Sequence, residues 1–372
     1  MFKKILCAFS VFILFLVALE FILKVINSHY NLLEPKPLYN YSQDSLAMFT
    51  EYDPLLGWKN KPNSKGFFTM PDSKSYVEIN SYGCRNREYP LKKYSKKRII
   101  AYGDSYTWGY GINNNEIFTE ILEKKLNGDK IEIINFGVPG YGTDQEYLSF
   151  KKYGIQWKPD IVIVMLHTRD IEVDNICDFE HGVYKPLFAV DGNSLRLASK
   201  IPLPRIEKSP ALTTPYSSCT KCRNKPILYQ LIGKRIKLLF SDIQKSNKLL
   251  WKLSLKFRVN EHEYGYKITK KILEELNKDT EKIGAKLIVV SVYEEAHIKK
   301  NPPLYMIFLK DFLEAHNITY IDTYNDFYRE SKKNSLFFEH DLHWNAKAHE
   351  IVAAVLYREL KKLNLLENIY SN

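Results

Sequence analysis

Short aliphatic segments alternate with amphipathic segments of helical length, and this alternation constrains the fold more than any other feature. The aliphatic segments are rich in Ile, Val and Leu and are bounded by turn-forming residues. Near-continuous apolar runs of this length are typical of strands buried on both faces of a parallel sheet. The sequence predicts strands at Ile99–Tyr102, Ile131–Phe136, Ile161–Leu166, Lys286–Val292 and Ile318–Asp322.

Amphipathic segments follow these strands and complete a repeated strand–helix order. At 372 residues and 45% hydrophobic composition, the chain is large enough to bury a substantial core. The order predicts an α/β protein, a three-layer α/β/α sandwich with a mainly parallel, flavodoxin-like sheet. Helices are predicted at Ile117–Leu126, Thr143–Trp157, Ile268–Ile283 and Leu304–His316, with a closing helix that ends at Leu363.

The N-terminus carries an apolar stretch over residues 5–23, preceded by Lys3 and Lys4. Its length and the flanking charges predict a single-pass transmembrane helix, residues 1–26, with a cytoplasmic N-terminus. The rest of the chain would then lie outside the cytoplasm, in the periplasm or at the cell surface. A cleaved signal peptide is the alternative, although Ala18–Phe21 matches a cleavage site poorly.

Changes in composition divide the remainder of the chain. Residues 27–95 are predicted to form a spacer and a small β-containing collar, with an alternating run at Ser75–Asn80. The predicted core comprises residues 96–175 and 266–372. Between them, residues 176–265 contain 16 Lys and Arg against 7 Asp and Glu.

We predict that this basic segment is a helical insertion, with one or two amphipathic helices over Leu228–Phe257. Three roles remain open for it: a cap on the core, a helix on an anionic membrane surface, or a groove for an acidic polysaccharide. A nucleic-acid partner is excluded by the predicted export of this region.

Four cysteines follow the predicted anchor: Cys84, Cys177, Cys219 and Cys222. Disulfides are plausible in an exported domain, and free thiols are the alternative. The spacing of Cys219 and Cys222 matches half of a zinc site, but no second half with comparable spacing is found. No motif predicts a metal or an organic cofactor.

Two short segments, far apart in the chain, carry the residue types of a serine esterase. Ser105 directly follows the first predicted strand of the core, whereas Asp341 and His343 precede the last predicted helix. A serine hydroxyl needs a general base, and an imidazole oriented by a carboxylate supplies one. Among the other histidines only His167 competes for this role, because it ends the third predicted strand.

The segments GDSYT, NFGVPGYGTDQE and HDLHWN resemble three motifs of the SGNH, or GDSL-type, hydrolase superfamily. The resemblance implies that Ser105 is the nucleophile and that its backbone N–H is the first oxyanion donor. It implies Gly140 as the second donor, through its backbone N–H, and Asp341 with His343 as the remainder of the triad.

At one motif the sequence departs from the pattern of the family. Arg169 stands where the family has an asparagine that donates the third oxyanion hydrogen bond. Arg169 would then be a donor or a substrate contact; alternatively it forms a salt bridge, and Thr168 or His167 fills the gap. Asp170 and Trp344 are further candidates for contacts with the substrate.

The anchor, the collar segments Asp53–Trp58 and Ile79–Gly83, and the Asp-x-His-Trp spacing resemble the membrane-anchored branch of this superfamily. The resemblance implies an exported serine esterase that cleaves acyl esters through an acyl-serine, with O-acetyl groups of a cell-surface carbohydrate as substrate. An O-acyltransferase that modifies a surface polysaccharide is the alternative. A second alternative is a non-catalytic polysaccharide-binding or assembly module with envelope-assembly proteins as partners.

Overall fold

The computed structural model describes residues 11–23, 25, 46–94, 96–126, 130–180, 182–205, 263–300 and 302–365. The chain divides into two compact units, Met1–Asn40 with Thr220–Arg258, and Tyr41–Cys219 with Val259–Asn372. In the first unit, residues 11–23 are helical. No helix within the described ranges combines the length and the hydropathy needed to cross a bilayer. Residues 1–10 of the predicted anchor lie outside those ranges.

The second unit contains thirteen described strands. Two antiparallel hairpins come first, and two more lie between the third and fourth strands of the central sheet. The strands are β1 Thr50–Asp53, β2 Gly57–Asn60, β3 Lys65–Met70, β4 Ser73–Glu78, β5 Lys97–Tyr102, β6 Ile131–Asn135, β7 Ile161–His167, β8 Phe179–Glu180, β9 Val183–Tyr184, β10 Phe188–Asp191, β11 Ser194–Leu197, β12 Lys286–Val292 and β13 Thr319–Ile321.

Nine α-helices of the second unit lie within the described residues. They are α1 Ser105–Trp108, α2 Phe118–Lys125, α3 Thr143–Ser149, α4 Thr168–Glu172, α5 Glu263–Lys282, α6 Glu295–Lys300, α7 Leu304–Ala315, α8 Tyr324–Ser331 and α9 Ala346–Lys362. Helix α3 continues as a π-helical turn and then a 3-10 turn as far as Trp157. The five strands and five helices predicted from the core sequence are therefore confirmed, with ends shifted by a few residues.

The central sheet has the order β6-β5-β7-β12-β13, and every neighbouring pair is parallel. Numbered within the sheet, this is the 2-1-3-4-5 order of flavodoxin-like proteins, which confirms an α/β fold with a parallel sheet. All seven residues of β7 are buried, so both faces of this strand are covered. Ligands of such sheets bind beyond the carboxyl ends of the strands where the winding reverses, here between β5 and β7.

The hairpins β1–β2 and β3–β4, which we call the collar, pack beside the first turn of the core. Phe68, Met70 and Val77 of the β3–β4 hairpin form a buried cluster with Trp108 of α1. The burial of alternate residues along β4 follows from the period of two in a strand. The collar thus covers the helix that begins at Ser105.

The described part of the basic segment differs from the helical insertion that its charge suggested. Residues 179–197 form the hairpins β8–β9 and β10–β11. Asp191 pairs with Ser194 across a two-residue loop in which Gly192 has a φ of 57°. This left-handed conformation suits glycine and favours a tight hairpin over a helix. The predicted helices over Leu228–Phe257 lie outside the described residues.

The described cysteines are in two different states. Cys84 is a buried free thiol, and burial raises its pKa well above the ordinary value. Cys177 is disulfide-bonded. The interpretation with free thiols therefore holds for Cys84 and the interpretation with a disulfide holds for Cys177.

Candidate active site

Ser105 is the first residue of the short helix α1, directly beyond the carboxyl end of β5. Asp104 caps this helix, and its carboxylate accepts a hydrogen bond of 2.9 Å from the N–H of Tyr106. The helix ends after one turn at Gly109, which has a φ of 88°. Because glycine adopts this conformation without steric cost, the chain can turn sharply and return Tyr110 toward Ser105.

The hydroxyl of Ser105 contacts the ring of His343, with 2.7 Å between Oγ and Nε2. On the other side of the ring, Nδ1 of His343 contacts the carboxylate of Asp341. An Nδ1–H that donates to the carboxylate leaves Nε2 free to accept the proton of the serine hydroxyl. The structure therefore brings the three residues predicted for the triad into one row.

Asp341 and His343 can both face Ser105 because the residue between them has an unusual backbone. Leu342 has a φ of 68°, in the left-handed region that non-glycine residues seldom adopt. The N–H of His343 also donates to Asp341 Oδ1 at 3.3 Å. The two ends of the turn are joined by an antiparallel bridge between Phe337 and Trp344.

Two aromatic rings hold the imidazole of His343. Tyr110 stacks on it with 4.4 Å between ring centroids and an angle of 25°, and Tyr106 lies at 4.9 Å. The side chain of Asp341 is only 2% exposed, whereas that of His343 is 23% exposed. The base is thus reachable from solvent, while the carboxylate that orients it is shielded.

Gly140 lies in the loop that follows β6, and this loop is fixed against the nucleophile turn. The N–H of Val138 donates to the carbonyl of Gly103 at 3.0 Å. From the collar, the indole N–H of Trp58 donates to the carbonyl of Pro139 at 2.9 Å. Gly140 itself has a φ of 78°. Its predicted role as an oxyanion donor remains a prediction.

His167 contacts carboxylates rather than the serine. Its Nδ1 lies 3.0 Å from Asp104 Oδ2, and its Nε2 lies 3.5 Å from Glu294 Oε1. Burial alone would lower the pKa of His167, but the charges and hydrogen bonds of these carboxylates outweigh burial and raise the pKa well above its ordinary value. His167 therefore lies between Asp104 and Glu294 behind the nucleophile, whereas His343 is in contact with Ser105.

Arg169 forms ion pairs that agree with the structural alternative for this residue. Its Nη2 atom lies 3.0 Å from Asp174 Oδ1 and 2.9 Å from Glu180 Oε1. Both carboxylates are almost completely buried. A guanidinium in these ion pairs offsets part of the cost of burying the two carboxylates.

Two of the residues predicted to contact the substrate belong to the interior. Asp170 is 1% exposed and accepts a hydrogen bond of 3.1 Å from the N–H of His167. Trp344 is 1% exposed, and its indole N–H donates to the carbonyl of Tyr293 at 3.4 Å. Neither side chain has surface for a substrate, so in this structure Asp170 and Trp344 are packing residues and not substrate contacts.

A network of buried charges that the sequence analysis did not predict lies beside α3 and α4. Lys185 is fully buried, 3.1 Å from Asp144 Oδ1, and donates to the carbonyl of Asp174 at 2.6 Å. Burial raises the pKa of Asp144 and that of Asp174 to about 6, against the opposing effect of the neighbouring cations. Within the described ranges, no three His, Cys, Asp or Glu side chains are arranged to hold a metal ion.

A cavity of about 390 Å³ opens at the opposite edge of the sheet. It is lined by residues near the amino ends of β5 and β6, among them Lys96 and Glu132. No triad residue lines it. The contact between Ser105 and His343 lies at the other edge, beyond the carboxyl ends of the strands.

Comparisons with known proteins give matches only among solved structures. No protein-family model matches the chain, and no curated protein matches it. A lipase/acylhydrolase from Enterococcus faecalis is 15% identical, with a TM-score of 0.40, and the match covers 72% of this chain and 96% of that chain.

Two further solved structures are similar to the same extent. A catalytic mutant of an acetylxylan esterase from Geobacillus stearothermophilus is 14% identical, with a TM-score of 0.40, covering 72% of this chain and 96% of that one. A member of the lipolytic G-D-S-L family from Veillonella parvula is also 14% identical, with a TM-score of 0.40, covering 72% and 99%. Likeness at this level does not assign an activity to this chain.

Proposed function

We propose that the protein is a serine esterase that cleaves acyl esters through a covalent acyl-serine intermediate. The observation that carries the proposal is the contact of 2.7 Å between Ser105 Oγ and His343 Nε2, with Asp341 on the far side of the ring. A weak nucleophile, a base within hydrogen-bonding distance and a carboxylate that orients the base are what nucleophilic catalysis by serine requires.

In the first half of the reaction, Ser105 Oγ attacks the carbonyl carbon of the ester. Its proton passes to Nε2 of His343, and the buried carboxylate of Asp341 stabilises the imidazolium that forms. When the tetrahedral intermediate collapses, the bond from carbon to the alcohol oxygen breaks. The leaving alkoxide takes the proton from His343 and departs as an alcohol.

In the second half, the same groups act on a water molecule. His343 removes a proton from the water as its oxygen attacks the acyl carbon, and then returns that proton to Oγ as the bond to Ser105 breaks. A carboxylic acid is released and the serine is restored. The oxyanion formed in each half is assigned to the backbone N–H groups of Ser105 and Gly140.

Within this class we propose an anchored, exported enzyme whose substrate is an O-acetylated carbohydrate of the cell surface. The apolar stretch over residues 5–23 and the two lysines before it support export, and the motif resemblance supports a carbohydrate ester. The acyl-serine is also the intermediate of a transferase, in which a sugar hydroxyl replaces water in the second half.

The test uses the full chain in detergent with an activated acetyl ester, with and without a sugar acceptor. We expect acetate release that falls by about 10⁶-fold, to the assay background, in both Ser105→Ala and His343→Ala. Hydrolysis retained in Ser105→Ala would contradict the proposal. Acetylated sugar formed in place of acetate would assign the protein to the transferases.

A further inference from the structure

The loop that carries Asp341 and His343 is held from outside by the collar. Asp72, in the turn between β3 and β4, accepts a hydrogen bond of 2.8 Å from the backbone N–H of His340. The second oxygen of the same carboxylate lies 2.5 Å from Nδ1 of His340. One carboxylate therefore contacts both the main chain and the side chain of the residue that directly precedes Asp341.

The position of Asp72 is itself fixed by contacts of the same hairpin. Ser73 donates from its hydroxyl to the carbonyl of Gly111 at 2.8 Å. Phe68, on the neighbouring strand, packs against Tyr110 with 4.6 Å between ring centroids. Tyr110 in turn stacks on His343. The hairpin thus supports His343 indirectly in two ways: Phe68 packs on Tyr110, which stacks on His343, and Asp72 binds His340 in the loop that carries His343.

The loop needs such support because its own backbone is strained. Leu342 stands in the left-handed region, and residues in that region persist only where the surrounding structure enforces it. Within the loop, Phe338 N–H donates to the carbonyl of His343 at 2.9 Å, and Leu342 N–H donates to that of Phe338 at 3.3 Å. The Asp72 carboxylate adds charge-assisted contacts from a part of the chain 268 residues away.

We infer that Asp72 is a positioning residue for catalysis: by binding His340 it keeps Asp341 and His343 aligned with Ser105. The inference rests on the proposed esterase function. Asp72 does not touch Ser105 or the base, so it acts only through the geometry of the loop. We call the two contacts of Asp72 with His340 the clamp. Because a misplacement of about 1 Å in a catalytic group can cost about 10²-fold in rate, loss of the clamp should appear mainly in kcat.

The experiment compares Asp72→Ala with Glu78→Gln, which removes an exposed acid from the same hairpin. In the full chain we expect kcat for an acetyl ester to fall by about 10- to 100-fold in Asp72→Ala, with KM changed less than about threefold. Glu78→Gln should behave as wild type. An active wild type with an unchanged kcat in Asp72→Ala would overturn the inference.

A second pair of variants separates positioning from general damage to the fold. His340→Ala keeps the main-chain hydrogen bond to Asp72, so it should lose less kcat than Asp72→Ala, and the double variant should lose no more than Asp72→Ala alone. His340→Asn places an amide donor near the position of Nδ1 and should restore most of the rate. Additive losses in the double variant, or no rescue by His340→Asn, would contradict the clamp.

Hydrogen exchange of the amides over residues 336–345 tests the clamp without any activity. Exchange in this segment should be faster in Asp72→Ala than in Glu78→Gln, while exchange in β7 stays unchanged. Equal exchange in the two variants would overturn the inference even if the chain is an esterase. Hydrolysis that survives Ser105→Ala would instead overturn the proposed function. The exchange result would still show whether Asp72 holds the loop.

Discussion

His167 Nδ1 lies 3.0 Å from Oδ2 of Asp104, the residue that caps the helix beginning at Ser105. The ring of His167 also lies 4.9 Å from that of Tyr106, and the ring of Tyr106 lies 4.9 Å from that of His343. The two histidines near the nucleophile thus have different partners. His343 contacts the hydroxyl of Ser105, and His167 contacts the carboxylate of Asp104.

Replacing His167 should therefore damage stability more than chemistry. His167→Gln removes the imidazole that lies between Asp104 and Glu294 and leaves the buried Asp104 carboxylate without this partner, so we expect the unfolding free energy to fall by about 3–5 kcal/mol. The rate per active site, measured against sites titrated with a serine-reactive phosphonate, should stay within about tenfold of wild type. A loss per titrated site as large as in His343→Ala would show that His167 takes part in proton transfer.

The ion pair of Glu294 with His167 predicts a dependence of stability on pH. The hydrogen bond from His167 lowers the pKa of Glu294 to about 2. A lowered carboxyl pKa stabilises the fold above the ordinary value of about 4.3, and that contribution is lost as pH falls through about 2. The Glu294 side chain is 35% exposed, which reduces the size of the effect.

The stability difference between wild type and Glu294→Gln should therefore be larger near pH 6 than near pH 2. Denaturant unfolding at both pH values measures it. Glu314→Gln, in an exposed part of α7, is the control and should show little change with pH. A difference that grows on acidification would show that Glu294 is not held as an anion by His167.

The stacking of Tyr110 on His343 predicts that the ring of Tyr110, and not its hydroxyl, supports catalysis. Tyr110→Phe keeps the ring, so its kcat should match wild type. Tyr110→Leu removes the stack and should lower kcat by about tenfold, since aromatic pairs contribute about 0.5–1.5 kcal/mol beyond their burial. Steady-state kinetics on an acetyl ester measure both variants. Equal losses in the two would instead assign a role to the Tyr110 hydroxyl.

The ion pairs of Arg169 predict a structural effect for its replacement. Arg169→Gln leaves the buried carboxylates of Asp174 and Glu180 without this guanidinium, and unfolding free energy should fall by about 3–5 kcal/mol. The rate per titrated site should change only a few-fold. A loss of about 10² to 10³ in turnover with unchanged stability would instead identify Arg169 as an oxyanion donor.

The sheet could be predicted from the sequence because its strands are marked locally. A strand buried on both faces, such as β7, must be apolar along its whole length, and the helices between strands repeat their apolar residues with the helical period. The approach of Ser105, Asp341 and His343 was predictable as well. Ser105 follows the carboxyl end of β5, whereas Asp341 and His343 come after helix α8, so the motif resemblance, and not the topology alone, predicted that they meet.

Contacts that depend on the relative placement of distant segments were not predictable. Asp72 is an ordinary turn residue in the sequence, and nothing near it indicates a contact with His340. The aromatic residues after Ser105 were a visible signal, but only the left-handed turn at Gly109 places Tyr110 over His343. The Gly192-Asn193 pair, which forms the two-residue loop, was a local signal for a hairpin that the excess of positive charge obscured.

The chain leaves the core after Asn175 and returns through α5, and the two points of attachment touch. Asn175 Nδ2 donates to Thr269 Oγ1 at 2.8 Å, and Gly265 approaches Ile171 so closely that an added Cβ would lie 1.9 Å from its carbonyl oxygen. A segment whose ends already meet can change in length at little cost, since each doubling in its length adds about 0.6 kcal/mol to the free energy of closing the loop. Changes in length between the buried Lys185 and α5 should therefore leave the sheet and the edge that holds Ser105 intact.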